Sequence, residues 1–226
     1  MNFINEQDRR LVEHYRLEPA EAGATSARPD VWHRIRKLGS GGFGNVYLEE
    51  RIVAGRKETR AVKTAKEDQR IDVGRELLAL IQLSAPRYEA FFGQFKGWYE
   101  VDNRISLAME YFPGGDLHDA LAKQGGTLPE PEVRDIVDQL LQGVKIMHED
   151  RVGIAHRDIK LLNIFVLQGG PKWNVKIGDF GLSKQAHEGT ALRTHFGTYG
   201  YMAPELLYLI DEDDESSEYT KSVDIW

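Results

Sequence analysis

The spacing of apolar residues changes at Pro113-Gly114-Gly115, and no other feature narrows the available architectures as much. Before that break, apolar and β-branched residues come in short runs. Ile35-Arg36-Lys37-Leu38, Asn45-Val46-Tyr47-Leu48 and Thr59-Arg60-Ala61-Val62-Lys63 are joined by glycine-bearing turns, and similar runs cover residues 95–100 and 105–110. Such runs predict strands. One stretch differs: apolar residues at 73, 77, 80, 81 and 83 predict a helix over residues 72–83. After the break, helical spacing takes over. A short helix is expected over residues 116–122. A long one is expected over residues 129–148, with apolar positions 133, 136, 137, 140, 141, 144 and 147. Short strands return near residues 164–167 and 175–177. The order predicts an α+β fold of two lobes, the first β-rich with one main helix and the second helical. A cleft between lobes is a favoured place for a ligand. Residues 1–31 are expected to be an N-terminal extension, with a short helix over 5–16 and a linker over 19–30. Residues 32–112 are expected to form the first lobe with the hinge, and residues 113–226 the second, partial one.

Composition excludes several classes of function. No run of about 18 apolar residues occurs, so no membrane span or membrane partner is expected. The first ten residues lack the apolar centre of a secretory signal. Cysteine is absent, which removes disulfides and thiolate metal sites and fits an intracellular setting, cytoplasmic or nuclear. The net charge is −7, and the segment 211–218 alone holds six acids and no base. So dense a cluster reads first as a solvated loop. No basic face of the kind a nucleic-acid partner needs is present.

Three groups of residues carry chemistry. Gly39-Ser40-Gly41-Gly42-Phe43-Gly44-Asn45-Val46 is a glycine-rich run. Glycine lets backbone N–H groups approach phosphate oxygens without a Cβ in the way. Alone, the run also fits a bland hairpin. A dinucleotide-binding turn is disfavoured, because a strand and not a helix follows. Lys63 lies on a later apolar strand. A lone lysine is usually a solvated charge, but after a phosphate-type loop it becomes a candidate phosphate ligand, with Glu76 on the first helix as its counter-charge. His156-Arg157-Asp158-Ile159-Lys160-Leu161-Leu162-Asn163 places a base candidate, a cation and an amide within eight residues, and Asp179-Phe180-Gly181 follows. Phosphoryl transfer needs oxygen ligands for Mg²⁺, a carboxylate at the acceptor hydroxyl and a cation for developing negative charge. Asn163 with Asp179, Asp158, and Lys160 with Lys63 meet those needs.

In this order and at these spacings the motifs resemble the eukaryotic protein kinase domain of Ser/Thr type, over residues 32–226. The resemblance implies ATP and Mg²⁺ as the small-molecule partners and a protein as the acceptor. It implies that residues 39–44 cover the phosphates and that Lys63, paired with Glu76, holds the α- and β-phosphates. It also implies that Leu38, Val46, Ala61 and Phe165 enclose the adenine and that Met109 is the gatekeeper. Glu110 and Phe112 would supply hinge backbone bonds. Asp158 would accept the hydroxyl proton, Lys160 would steady the γ-phosphate, and Asn163 and Asp179 would hold Mg²⁺. Thr198, in Gly197-Thr198-Tyr199-Gly200-Tyr201-Met202-Ala203-Pro204-Glu205, would contact Asp158 and Lys160. Asp224 resembles the residue that fixes the His156–Asp158 backbone.

Asp179 to Lys184 and Leu192-Arg193-Thr194 are similar to calcium/calmodulin-kinase-like and checkpoint-kinase-like members. The flavour of Ala108 to Leu117 is similar to kinases of filamentous fungi. Thr194 occupies the place of an activating phosphate, facing Arg157 and Lys184, which would make an upstream kinase a partner. Against the family pattern, Leu161-Leu162 replaces the usual Pro-Glu or similar pair, and the match stops where the large helix of the second lobe begins. The second lobe is therefore expected to lack its last helices. Glu205 is expected as a buried carboxylate without its usual arginine, and the chain alone as poorly soluble and weakly active. Two other functions fit parts of the pattern. A silent pseudokinase or binding module is disfavoured because no catalytic position is substituted, and a small-molecule kinase because the Thr198–Glu205 loop is of protein-substrate type.

Overall fold

A computed structural model describes residues 11–14, 30–40, 44–66, 70–101, 104–182, 184–185, 198–207 and 220–226. By contacts the chain forms two compact units, one of Met1–Val73 with Phe95–Tyr111 and one of Gly74–Gln94 with Phe112–Trp226.

The first unit holds a six-stranded antiparallel sheet. Its strands are β1 (Leu11–His14), β2 (Asp30–Ser40), β3 (Gly44–Val53), β4 (Arg56–Ala65), β5 (Phe95–Val101) and β6 (Arg104–Met109), in the order β1-β2-β3-β4-β6-β5. The β3–β4 hairpin turns through Ala54 and Gly55, both at positive φ (49° and 77°), which matches the twist of the flanking strands. Its ten pairs run without interruption from Gly44↔Ala65 to Val53↔Arg56. At Gly44 a Cβ would lie 2.1 Å from the Thr64 carbonyl oxygen, so only glycine lets the two strands close there.

One face of this sheet buries an ionic group. Arg34, Glu49 and Arg60 are cross-strand neighbours on β2, β3 and β4. Glu49 has no exposed surface. Its Oε2 accepts from Arg60 Nε (3.0 Å) and Nη2 (2.7 Å), and its Oε1 from Arg34 Nη2 (3.2 Å) and the Tyr99 hydroxyl (3.0 Å). Tyr99 is on β5, two strands beyond β4 in the order, so the sheet must curl to bring it to β3. The Arg60 guanidinium also lies 3.9 Å from the centre of the Trp32 ring. Burial pushes Arg60 below its ordinary arginine value, against the pull of Glu49, and pushes Tyr99 well above the ordinary tyrosine value.

In the second unit, α1 (Arg70–Leu83, included from Gly74) and a short 3-10 turn (Pro86–Tyr88) precede α2 (Leu117–Lys123) and α3 (Glu130–His148). Asp116 caps α2, its Oδ1 accepting from Asp119 N at 2.8 Å. In α3, Glu130 and Glu132 lie in the first turn and Lys145 and His148 in the last, matching the helix dipole. Strand β7 (Ile154–Ala155) leads to the hairpin of β8 (Ile164–Gln168) and β9 (Asn174–Ile177), which packs on α3. Gln139 of α3 holds that hairpin at both ends of its amide, accepting from Val175 N (3.1 Å) and donating to Trp173 O (3.0 Å). The short β10 (Lys184–Gln185) pairs with β7. Ala203 and Leu206 of the segment bearing α4 (Pro204–Leu207) pack with Ala155 and Val223 in a small core.

Two expectations are corrected, the helix over residues 5–16 and the burial of Glu205. The helix expected over residues 5–16 gives way to β1 at Leu11–His14, which pairs with His33 to Asp30 of β2; an available sheet edge outweighs a weak local preference. Residues 5–10 and 15–16 lie outside the described residues. Of the apolar positions on α3, residues 136, 144 and 147 are buried, but Val133, Val137 and Leu141 are exposed. Glu205 is exposed rather than buried. Among the described residues no helix is long and apolar enough to cross a membrane.

Candidate active site

The loop between β7 and β8 carries the acidic and basic groups, and its backbone is held from outside. Asp224, in a short 3-10 turn at Lys221–Asp224, has a fully buried side chain. Its Oδ2 accepts from His156 N (2.8 Å) and its Oδ1 from Arg157 N (2.7 Å). Arg157 has φ of 67°, a left-handed conformation unfavourable for arginine, and the bond to Asp224 helps to maintain it. The expected role of Asp224 is thus seen in atomic contacts.

The next residues converge on Asp158. Its Oδ1 accepts from the Thr198 hydroxyl at 2.8 Å. Its Oδ2 accepts from Lys160 Nζ at 2.7 Å and from Asn163 Nδ2 at 2.9 Å. Asn163 Nδ2 also donates to the Asp158 carbonyl (2.8 Å), so its amide nitrogen faces Asp158. Lys160 Nζ donates to Thr198 Oγ1 at 2.5 Å, which closes a ring of Asp158, Lys160 and Thr198. All of these groups are buried or half-buried. Charge-assisted bonds among them fix the position of the carboxylate.

A second loop follows β9. Asp179 also adopts positive φ (56°). Phe180, with no exposed surface, anchors the loop between Phe92 (ring centroids 6.1 Å apart) and His156 (5.0 Å). His156 Nε2 donates to Gly178 O at 3.1 Å and His156 Nδ1 accepts from Asp158 N at 3.3 Å, so one imidazole ties the two loops together. Phe165 of β8 is half-buried and stacks on the buried Phe112 ring (5.3 Å, 13° between planes). Gly114 approaches the Val166 carbonyl so closely that a Cβ would stand 2.5 Å from it. Glu76, on α1, is buried, with 3% of its surface exposed.

In the first unit, the remaining sequence-predicted residues lie on the sheet. Val46 is paired with Lys63, Lys63 with Leu107, and Ala61 with Met109. Directly paired residues, and those two apart on a strand, share a face; Val46, Ala61, Lys63 and Met109 therefore lie together, opposite the face that buries Glu49 and Arg60. Leu38, Gly39 and Ser40 end β2, Gly44 opens β3, and Glu110 follows β6. Gly41, Gly42, Phe43 and Thr194 lie outside the described residues.

The family model for the protein kinase domain matches residues 32–226. The chain belongs to the protein kinase domain family. Among its relatives, serine/threonine-protein kinase RAD53 of Saccharomyces cerevisiae is 36% identical over 84% of this chain and 23% of its own length. The human mitogen-activated protein kinase kinase kinase 3 is 32% identical over 88% of this chain and 31% of its own. The mouse calcium/calmodulin-dependent protein kinase type IV is 34% identical over 87% of this chain and 39% of its own. The chain thus spans well under half the length of these curated relatives. The bilobal α+β class expected from the switch in periodicity is that of this family.

Sequence reasoning did not assign two residues that serve this protein kinase domain. His148 Nε2 bonds Asp224 Oδ2 at 2.8 Å, and Lys221 Nζ donates to the His148 carbonyl at 2.7 Å, capping α3. The one sequence signal was a basic residue in the last turn of a predicted helix.

Proposed function

We propose that this chain transfers the γ-phosphoryl group of ATP to serine or threonine hydroxyls of protein substrates. The hydrogen-bonded group of Asp158, Lys160, Asn163 and Thr198 carries the proposal. The acceptor oxygen forms its bond to the γ-phosphorus as the bond to the β–γ bridging oxygen breaks; Asp158 takes the hydroxyl proton and ADP leaves. Lys160 is the cation nearest Asp158 and would balance charge gathering on the transferred group. Asn163 Oδ1 and the Asp179 carboxylate are hard oxygen donors of the kind Mg²⁺ takes, and the ion would neutralise phosphate charge. Lys63 would bind the α- and β-phosphates. Leu38, Val46, Ala61, Met109 and the backbone of Glu110 are assigned to the base, as are Phe112 and Phe165; Gly39, Ser40 and Gly44 are assigned to the phosphate loop.

Phosphorylation of Thr194 by an upstream kinase, with Arg157 and Lys184 as its cations, would order the substrate side. A Thr194→Ala chain with full turnover would count against that step. An intracellular setting follows from the requirement for ATP and fits the absence of cysteine. The central test is incorporation of labelled γ-phosphate into a generic protein by wild type and by Asp158→Asn. Incorporation by wild type alone is expected. Equal incorporation by both removes Asp158 as the base, and none by either points to a binding module.

A further inference from the structure

Gly178 stands between β9 and Asp179, and neither of its backbone contacts asks for glycine. Its N–H donates to Asn163 O (3.0 Å) and its carbonyl accepts from His156 Nε2 (3.1 Å), bonds any residue could make. Its φ lies outside the left-handed region. What a Cβ would meet is a single side chain. Phe165 Cε2 would be 2.7 Å and Cδ2 2.9 Å away, with no other non-neighbouring atom of the described residues within 4 Å. The Phe165 ring in turn lies parallel to Phe112. Phe112 is itself buried, with 7% of its surface exposed. The ring thus has a phenyl group on one face and the vacant Cβ position of Gly178 at one edge.

We propose that Gly178 is a positioning residue for the nucleotide base. Its missing side chain leaves the space in which Phe165 lies, and with Phe112 it sets the plane on which the base rests. A rigid phenyl ring cannot clear a Cβ at 2.7 Å by rotating a terminal methyl, so an alanine there must tilt Phe165 off the Phe112 stack. This rests on the reading of Phe165 as a base contact. Gly178 also adjoins Asp179, so a substitution could act through the metal side instead, and the two routes leave different kinetic traces. Tilting Phe165 raises the KM for ATP and leaves kcat within a small factor; displacing Asp179 lowers kcat.

The test is a cycle of Gly178→Ala and Phe165→Leu on the full chain. It reads binding of a fluorescent ATP analogue, KM for ATP, kcat and the melting midpoint without nucleotide. Gly178→Ala is expected to weaken nucleotide binding about tenfold in the wild-type background and less than about twofold beside Phe165→Leu, whose shorter side chain clears the new methyl. The melting midpoint should follow the same pattern. If Gly178→Ala does not fold, recovery of a cooperative transition in the double variant supports the proposal, and failure of both to fold overturns it. A loss of equal size in both backgrounds, or a loss confined to kcat, also overturns it while leaving the kinase reading intact. A wild-type chain that binds no nucleotide overturns the kinase reading and this proposal together.

Discussion

Replacing Glu49 by alanine removes the carboxylate that holds four donor contacts from three side chains, Arg60, Arg34 and Tyr99. Arg34 is partly exposed (24% of its side chain) and can turn to water, whereas Arg60 is 6% exposed and cannot. The variant therefore keeps a guanidinium in a site whose burial already disfavours its charge. Breaking a buried ion pair from one side costs about 3–5 kcal/mol, and the exposed side chain of Arg34 places the expectation near the lower end, about 3 kcal/mol. Against a typical domain stability of about 5–15 kcal/mol that is a large fraction. Removing both charges with Glu49→Leu and Arg60→Met is expected to recover at least about 2 kcal/mol, because an apolar pair of similar volume replaces a buried ionic one at little net cost. Urea unfolding followed by tryptophan fluorescence suits the measurement, since Trp32 lies under the Arg60 guanidinium. The reasoning fails if Glu49→Ala costs less than about 1 kcal/mol, or if the double variant is no more stable than the sum of the two single changes.

Asp224→Ala takes the acceptor from the N–H groups of the buried residues His156 and Arg157 and is expected to destabilise by about 2–5 kcal/mol and to lower turnover; unchanged melting and turnover would contradict the assigned role. Tyr88 has a buried hydroxyl with no hydrogen-bond partner among the described residues, so Tyr88→Phe should be neutral or stabilising by up to about 1 kcal/mol in denaturant unfolding, and a clear destabilisation would contradict this. Burial raises the Tyr99 hydroxyl well above its ordinary value. The folded state therefore keeps its proton where the unfolded chain has lost it. The stability this contributes is present below about pH 10 and lost as pH rises from there toward the folded value. Tyrosinate absorbance should show one tyrosine ionising only with alkaline unfolding, and Tyr99→Phe should remove that step; a Tyr99 that titrates freely in the folded chain would falsify it.

Local order carried much of the site into view. Asp158, Lys160 and Asn163 lie within six residues, and a turn that short brings their side chains to one place, so residue type and spacing alone pointed to phosphoryl transfer. The paired strands around Lys63 and the helix of Glu76 followed from periodicities of two and 3.6 residues. Contacts over longer separations were less legible. The Asp224 contact to the His156–Asp158 loop was anticipated through family likeness, while the bond from His148 was not, because nothing local distinguishes a ligand of Asp224 from an ordinary basic residue at a helix end. Likewise Val133, Val137 and Leu141 share the period of the core-facing positions on α3 but are exposed, since periodicity marks an apolar stripe without saying how much of it is covered.

The change of spacing at Pro113-Gly114-Gly115 was enough to foresee a strand-rich first part and a helical second part, since each period is imposed by backbone geometry that neighbouring residues share. Glu49 marks the other side of that division. In Leu48-Glu49-Glu50-Arg51 it reads as a solvated charge, and alternation could assign it only to one face of a strand. That this face is closed, with Arg60, Arg34 and Tyr99 around a fully buried carboxylate, depends on the curl that brings β5 over β3. Burial of a charge is a property of everything packed around it, and only the tertiary structure assembles those surroundings.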